Sequence, residues 1–354
     1  MVVRHVAPAF VLLFASACSI QSGNIESTSA AVEGGASSTK GTRSSTASAI
    51  DDEACRVDPG TDRRAQVCHR WRCDGRAGST PARWGGELSS CRAGTLDSDA
   101  GDRALELVNM HRFLAGVAPV RAEAAWSNAA QECALVAHAN AKLSHTPPPD
   151  WRCWSDLAAH TSEVSLIANR SAPPAIAAFI EDPGNETTMV HRRWLLSERI
   201  SRVGFGSTDR YSCVVVDGRS LGAGTNEDTD ENERSSGRSE GEDDSGDREH
   251  ADRDWVAWPP PGPVPIDVFT TERLDEIGWT IQSSSDDLDA ANVTVTSDGA
   301  KLAIEATHLT PLLGSRSAIR LVPKGWKTEA GRAYVVSVSG KASFDFTVEP
   351  TDCP

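Results

Sequence analysis

Between Thr225 and Asp254 the chain runs through Glu, Asp, Ser and Gly with almost no apolar side chain. Such a segment cannot bury enough surface to offset the entropy of ordering it. It therefore divides the chain, and whatever folds must be built from the residues before it and after it. From Glu227 to Asp254 thirteen acidic residues are set against Arg234, Arg238, Arg248 and Arg253, so nine of the fifteen net negative charges sit here. The acidity is thus mostly local, and residues 223–257 read as a solvated, disordered linker. An acidic chain also argues against nucleic acid as a partner. Calcium is another use for dense carboxylates, but no D-x-D-x-D-G loop with a closing Glu occurs.

The first residues read as a secretory leader. Arg4 and His5 precede the apolar run Val6 to Phe14, and the small residues Ala15, Ser16 and Ala17 precede Cys18. The run is too short to span a bilayer. Ala15-Ser16-Ala17-Cys18 resembles a bacterial lipobox, with Ala where Leu is commoner, so residues 1–18 are expected to be a signal peptide with lipidation at Cys18. An ordinary leader cleaved after Ala17 is the alternative. Residues 19–54, rich in Ser, Thr, Ala and Gly, read as a disordered tether. The expected location is an exported one: the bacterial cell envelope, lipid-anchored at the outer membrane or cell surface, or the medium.

With Cys18 acylated, eight of the nine cysteines remain: Cys55, Cys68, Cys73, Cys91, Cys133, Cys153, Cys213 and Cys353. An even set in an exported chain favours disulfides. Zinc is the competitor, but no C-x-x-C pair is present. Residues 55–90 show little helical or strand periodicity and read as a loop-rich, cysteine-rich extension. No repeat is visible at any solenoid period.

Residues 91–222 carry the helical signals. Asp102 can cap a helix with Leu105, Leu107, Val108, Met110 and Leu114 on one face, ended by Gly116. A second helix is expected over Ala122 to Leu143, with Trp126, Ala130, Cys133, Ala137 and Asn140 at three- and four-residue steps. Pro147, Pro148 and Pro149 end it, and the loop Trp151-Arg152-Cys153-Trp154 can return towards the inward-facing Cys133, which makes Cys133–Cys153 the expected disulfide. A third helix opens at Pro173 or Pro174 and stops at Asp182-Pro183-Gly184. A fourth covers about Glu186 to Leu196. Two strand-like runs follow, Arg202 to Gly206 and Tyr211 to Val216.

Three pieces in this order resemble the CAP superfamily of cysteine-rich secretory proteins, antigen-5 allergens and plant pathogenesis-related proteins. They are Val108-Asn109-Met110-His111-Arg112, an "N-x-x-R" pattern; Leu143-Ser144-His145; and His191-Arg192-Arg193-Trp194 followed by Val203-Gly204-Phe205-Gly206. The last is similar to the bacterial branch in particular. The resemblance implies an α+β fold: a CAP-type three-layer α-β-α sandwich, with a cleft lined by two histidines and one or two acidic residues. By position these are His145, His191, Asp182 and Glu163. Asp182 stands where the family has Glu, Phe179 where Trp is common, and Val190 where Gly usually precedes the histidine. Glu163 lies near the family's "G-E-N" glutamate, but the Asn is absent. His145 and His191 are then candidate ligands for zinc or another divalent metal. An imidazole at a helix end or on an amphipathic helix has a plainer use without any ligand, and His111, His138 and His160 are read as solvent-facing or packing residues.

The expected role is a binding or interaction module, with a lipid, sterol, glycan or protein as the ligand. A metal-dependent hydrolase or protease using the same cleft is the alternative, and a purely structural envelope protein the second. No H-E-x-x-H helix and no G-x-S-x-G elbow is present. Beyond the acidic segment, Trp258-Pro259-Pro260-Pro261-Gly262-Pro263-Val264-Pro265 reads as a stiff spacer. Alternating runs at Asn292 to Thr296, Leu302 to Ala306, Ala318 to Val322, Tyr334 to Ser339 and Ser343 to Val348 then predict an all-β sandwich of immunoglobulin-like type over 258–354. Under a bacterial leader the sequons at Asn169, Asn185 and Asn292 are chance matches.

Overall fold

The computed structural model describes residues 53–76, 81–221 and 253–354. The expected leader, the lipidated Cys18, the tether and most of the acidic linker lie outside them. Six helices and a small sheet, among the described residues, make the first folded unit. Helix α1, Arg63–Asp74, is opened by the Asp62 carboxylate, which accepts from the Ala65 amide. It lies where only loop was expected. Helix α2, Ser98–Ala115, starts four residues before the expected cap; Asp97 caps it, and Gly116 ends it in the left-handed conformation at φ 72°. Strand β1, Arg121–Ala122, leads to helix α3, Ala124–Asn140. Helix α4, Asp156–Glu163, and strand β2, Ser165–Ala168, follow. Helices α5, Pro174–Glu181, and α6, Val190–Leu195, precede strands β3, Arg202–Ser207, and β4, Ser212–Val215.

The sheet order is β1-β3-β4-β2, parallel only between β1 and β3. Strand periodicity sends Leu166, Val203, Phe205 and Val214 to the α2 and α5 side, where Leu107, Met110, Ile176 and Phe179 wait. It sends Ile167, Cys213 and Val215 to the α3 side, against Trp126, Ala130, Cys133 and Ala134. Helices therefore cover both faces, the three-layer arrangement expected. On β3 the positions facing α3 are Gly204 and Gly206. A Cβ at Gly206 would lie 2.0 Å from the Ala130 carbonyl carbon, and one at Gly204 would lie 2.4 Å from that of Trp126. The Gly-x-Gly spacing lets α3 settle onto the strand backbone.

The second unit is a pair of sheets. Strands β5 (Trp255–Trp258), β7 (Trp279–Ser283), β10 (Ile304–His308) and β11 (Ser317–Pro323) form one, in the order β10-β11-β7-β5. Strands β6 (Gly262–Pro265), β8 (Asn292–Ser297), β9 (Ala300–Leu302), β12 (Tyr334–Ser339) and β13 (Phe344–Thr351) form the other, in the order β6-β13-β12-β8-β9. Trp258, Ile281, Ile319 and Leu321 of the first meet Val264, Val295, Val336 and Val348 of the second in a shared core. Two short helices, α7 (Asp267–Thr270) and α8 (Leu274–Ile277), lie between β6 and β7.

The proline-rich stretch is no spacer: β5 begins at Trp255 and pairs with β7, while β6 pairs in parallel with β13. Its prolines are tolerated because β6 is an edge strand. The cysteine pairing also differs. Cys133 is bonded to Cys213 of β4 and Cys153 to Cys91, so the expected Cys133–Cys153 bond is absent. Cys133 faces the sheet, and the strand cysteine beneath it is nearer than the loop. Cys55–Cys73 staples the extension, and Cys68–Cys353 ties α1 to the C-terminal strand region. Four disulfides belong to a chain that leaves the reducing cytosol. Among the described residues no helix is long and apolar enough to cross a membrane.

Candidate functional site

The end of α5 and the first turn of α6 hold two of the four expected cleft residues. Asp182 ends α5 in the left-handed conformation, φ 60°, which turns its carboxylate back towards the start of α6. There Oδ2 accepts from the His191 and Arg192 amides at 3.0 and 3.3 Å. Helix α6 has no side-chain cap of its own at Met189, so Asp182 supplies one from nine residues away. Its Oδ1 accepts from His191 Nδ1 at 2.7 Å and from Asn185 Nδ2 at 2.9 Å. Asp182 and His191 are both fully buried, and the Phe179 ring packs on the imidazole with centroids 4.8 Å apart.

The other two residues lie in the α3–α4 layer. His145, half-buried after α3, donates from Nδ1 to the Ser162 carbonyl at 2.8 Å. Glu163, at the exposed end of α4, faces His160 at 3.5 Å. The structure thus joins Asp182 to His191, and brings His145 to the residue before Glu163. Among the described residues no group of three or more His, Cys, Asp and Glu side chains converges in an arrangement that could hold a metal. Both candidate histidines nonetheless meet one requirement of a metal ligand. An oxygen acceptor on Nδ1 fixes the proton there and makes Nε2 the basic nitrogen of each neutral ring. Asp182 has both oxygens engaged and no exposure, so it is not placed to act as a general base.

The neighbouring arginines do something the sequence did not disclose. Arg192 is fully buried and donates to the Ile180, Glu181 and Gly278 carbonyls at 2.6, 2.9 and 2.6 Å. Arg193 donates to the Thr188 and Thr310 carbonyls and to Ser315. Gly278, Thr310 and Ser315 belong to the β-sheet region, so this pair joins the two folded units. Burial pulls both guanidinium groups down to about 10, with Asp182 opposing. Gln282 returns the link, donating to the Arg193 and Leu196 carbonyls. The "N-x-x-R" residues are structural as well. Asn109 brackets the Val120 backbone through both its groups, and Arg112 donates to the Ala118, Leu195, Ser197 and Ile200 carbonyls.

Of His111, His138 and His160, two are packed and one faces solvent. His138 lies against Trp84 and Tyr211, and His160 is exposed. His111 is buried at the junction of the two units. Neither the curated proteins nor the solved structures contain a match to the chain. Residues 105–216, from within α2 to just past β4, match the family model for CAP, the cysteine-rich secretory protein family.

Proposed function

We propose that the protein is an exported interaction module of the bacterial cell envelope, anchored through Cys18, whose CAP domain binds its ligand at a cleft that His145 lines and the Asp182–His191 pair floors. The observation that carries this reading is the burial and full engagement of Asp182 and His191. Two groups with no solvent exposure and with every Asp182 oxygen committed serve rigidity, which suits a binding surface better than proton transfer. Lipids, sterols, glycans and proteins are the ligand classes, and the β-sandwich, of immunoglobulin-like type in this reading, holds the CAP domain in place. Metal analysis and organic extraction of the protein purified from its own membranes test the proposal. The binding reading expects an extractable ligand and no chelator-sensitive hydrolysis.

Metal-dependent hydrolysis is the second reading, and the Nδ1 bonds of both histidines favour it. A divalent ion held by His145 and His191 would polarise a bound water. Glu163 would be the base, although it pairs with His160. Peptide or ester hydrolysis lost to chelator and restored by zinc would establish this reading in place of the first.

A further inference from the structure

Strand register fixes which side chains share the outer face of the β6-β13-β12-β8-β9 sheet. Thr347, Val335, Thr296 and Lys301 stand in one row across β13, β12, β8 and β9, and Asp345, Ser337 and Thr294 stand in the next. The residues between them, Phe346, Val336 and Val295, point the other way into the shared core. At its centre the outer face carries short, uncharged side chains, with Val335, 37% exposed, in the middle. An open antiparallel face ordinarily meets water through charged side chains, and in a chain that is 24% charged this centre has none. Charge on this face of the four strands stands only at the two sides: Lys301 on β9, and Asp345 and Glu349 on β13, all exposed. None of the three has an ion-pair partner among the described residues.

A second copy of this chain completes the pattern. A two-fold axis running along the strands between β8 and β12 lays β9 of one copy over β13 of the other, and β8 over β12. Val335 then meets Thr296 of the partner subunit, and Ser337 meets Thr294 of the partner subunit. Lys301 lies opposite Thr347 of the partner subunit, with Asp345 and Glu349 of the partner subunit one pleat to either side, and the same contacts repeat beyond the axis. Facing sheets pack about 10 Å apart, which leaves those carboxylates within reach of the lysine ammonium. No like charges are opposed. Four strands about 4.8 Å apart and four outward rows about 6.8 Å apart present on the order of 500 Å², the scale of a weak, specific dimer. We propose that the outer face of β9-β8-β12-β13 is the contact of a symmetric homodimer, with an uncharged Thr, Ser and Val centre and Lys301 set against Asp345 and Glu349 of the partner subunit. This contact lies on the β-sandwich and is independent of the His145 cleft.

Sedimentation equilibrium of the full chain in density-matched detergent reads the association, and wild type should pass from monomer to dimer between about 1 and 100 μM. Val335→Lys, Lys301→Glu, and the double substitution Asp345→Lys, Glu349→Lys should each weaken association at least about tenfold, with the melting temperature unchanged because all four positions are exposed. Mixing the Lys301→Glu chain in equal amounts with the Asp345→Lys, Glu349→Lys chain should restore the dimer. In the mixed pair every contact again joins opposite charges, whereas neither chain alone can make such contacts. A wild type still monomeric at about 100 μM, which would leave the face to another occupant, overturns the proposal. So does association unchanged in Val335→Lys, or a mixture no more dimeric than its two components.

Discussion

Replacing Arg192 with Met tests whether the His191-Arg192-Arg193 segment is a structural joint. The substitution removes three hydrogen bonds from a charged donor, to carbonyls on α5 and on Gly278 of the β-sheet region. Each bond of this type contributes roughly 1.5–3 kcal/mol, and the three carbonyls are left in a buried site. Part of the loss is recovered, because Met no longer needs a guanidinium to be desolvated, a cost visible in the lowering to about 10. It also removes a cation whose field acts on the buried Asp182. Breaking one partner of such a buried set costs about 3–5 kcal/mol, which lowers the melting temperature of a unit this size by roughly 10 °C. Scanning calorimetry gives the shift, and urea unfolding followed by tryptophan fluorescence gives the free energy. Arg192→Lys, which keeps the charge but not the fork, should fall between the two. A melting temperature within about 2 °C of wild type for Arg192→Met refutes the reasoning, because three bonds to buried carbonyls cannot then be contributing.

Three further outcomes are expected. Gly206→Ala should destabilise by about 3 kcal/mol or prevent folding, because its Cβ would meet the α3 backbone at 2.0 Å; a normal thermal melt contradicts this. Peptide mapping should recover Cys133–Cys213 and Cys91–Cys153, and the double substitution Cys133→Ala, Cys213→Ala should cost roughly 3–4 kcal/mol by urea unfolding; a Cys133–Cys153 peptide would refute the pairing. Stability should fall as pH rises from about 6.5 towards 8, because the folded state holds a proton on Glu272 that the unfolded chain has released. It should hold level between about 4.5 and 6.5, where the extra proton on folded Glu272 is matched by one on unfolded His111, and fall as pH drops from about 4.5 towards 3, where only the His111 difference is left. Thermal melts across this range should show Glu272→Gln losing the alkaline limb, with its acid limb now starting near pH 6.5.

Much of the first folded unit was legible in the sequence because its elements carry strong local signals. The Gly116 stop, the proline at the start of α5 and the Asp182-Pro183-Gly184 end all act within one turn of the chain. Helix α4 was not legible, since Asp-Leu-Ala-Ala-His-Thr-Ser-Glu is too short to show a period, although Ser155 caps it. Helix α1 was hidden by five arginine and histidine residues among its twelve. Strand β6 was masked by its prolines, which only an edge position permits. At the site, the sequence offered His145, His191, Asp182 and Glu163 as one set. What it could not show is that Asp182 caps α6 and that the two arginines after His191 reach residues about 85 to 122 positions away. Those roles depend on the second unit docking against the first, which leaves no periodic trace.

In the proposed reading, Asp182 and His191 form a rigid floor beneath a binding surface and do no chemistry of their own. Calorimetry of Asp182→Asn tests this most directly, because Asn keeps the shape but removes the charge that faces His191, Arg192 and Arg193. The melting temperature should fall by roughly 8–12 °C, about the loss expected for an unpaired buried charge set. A melt within 2 °C of wild type, together with lost zinc binding or lost chelator-sensitive hydrolysis, would contradict it and make the pair a reactive site.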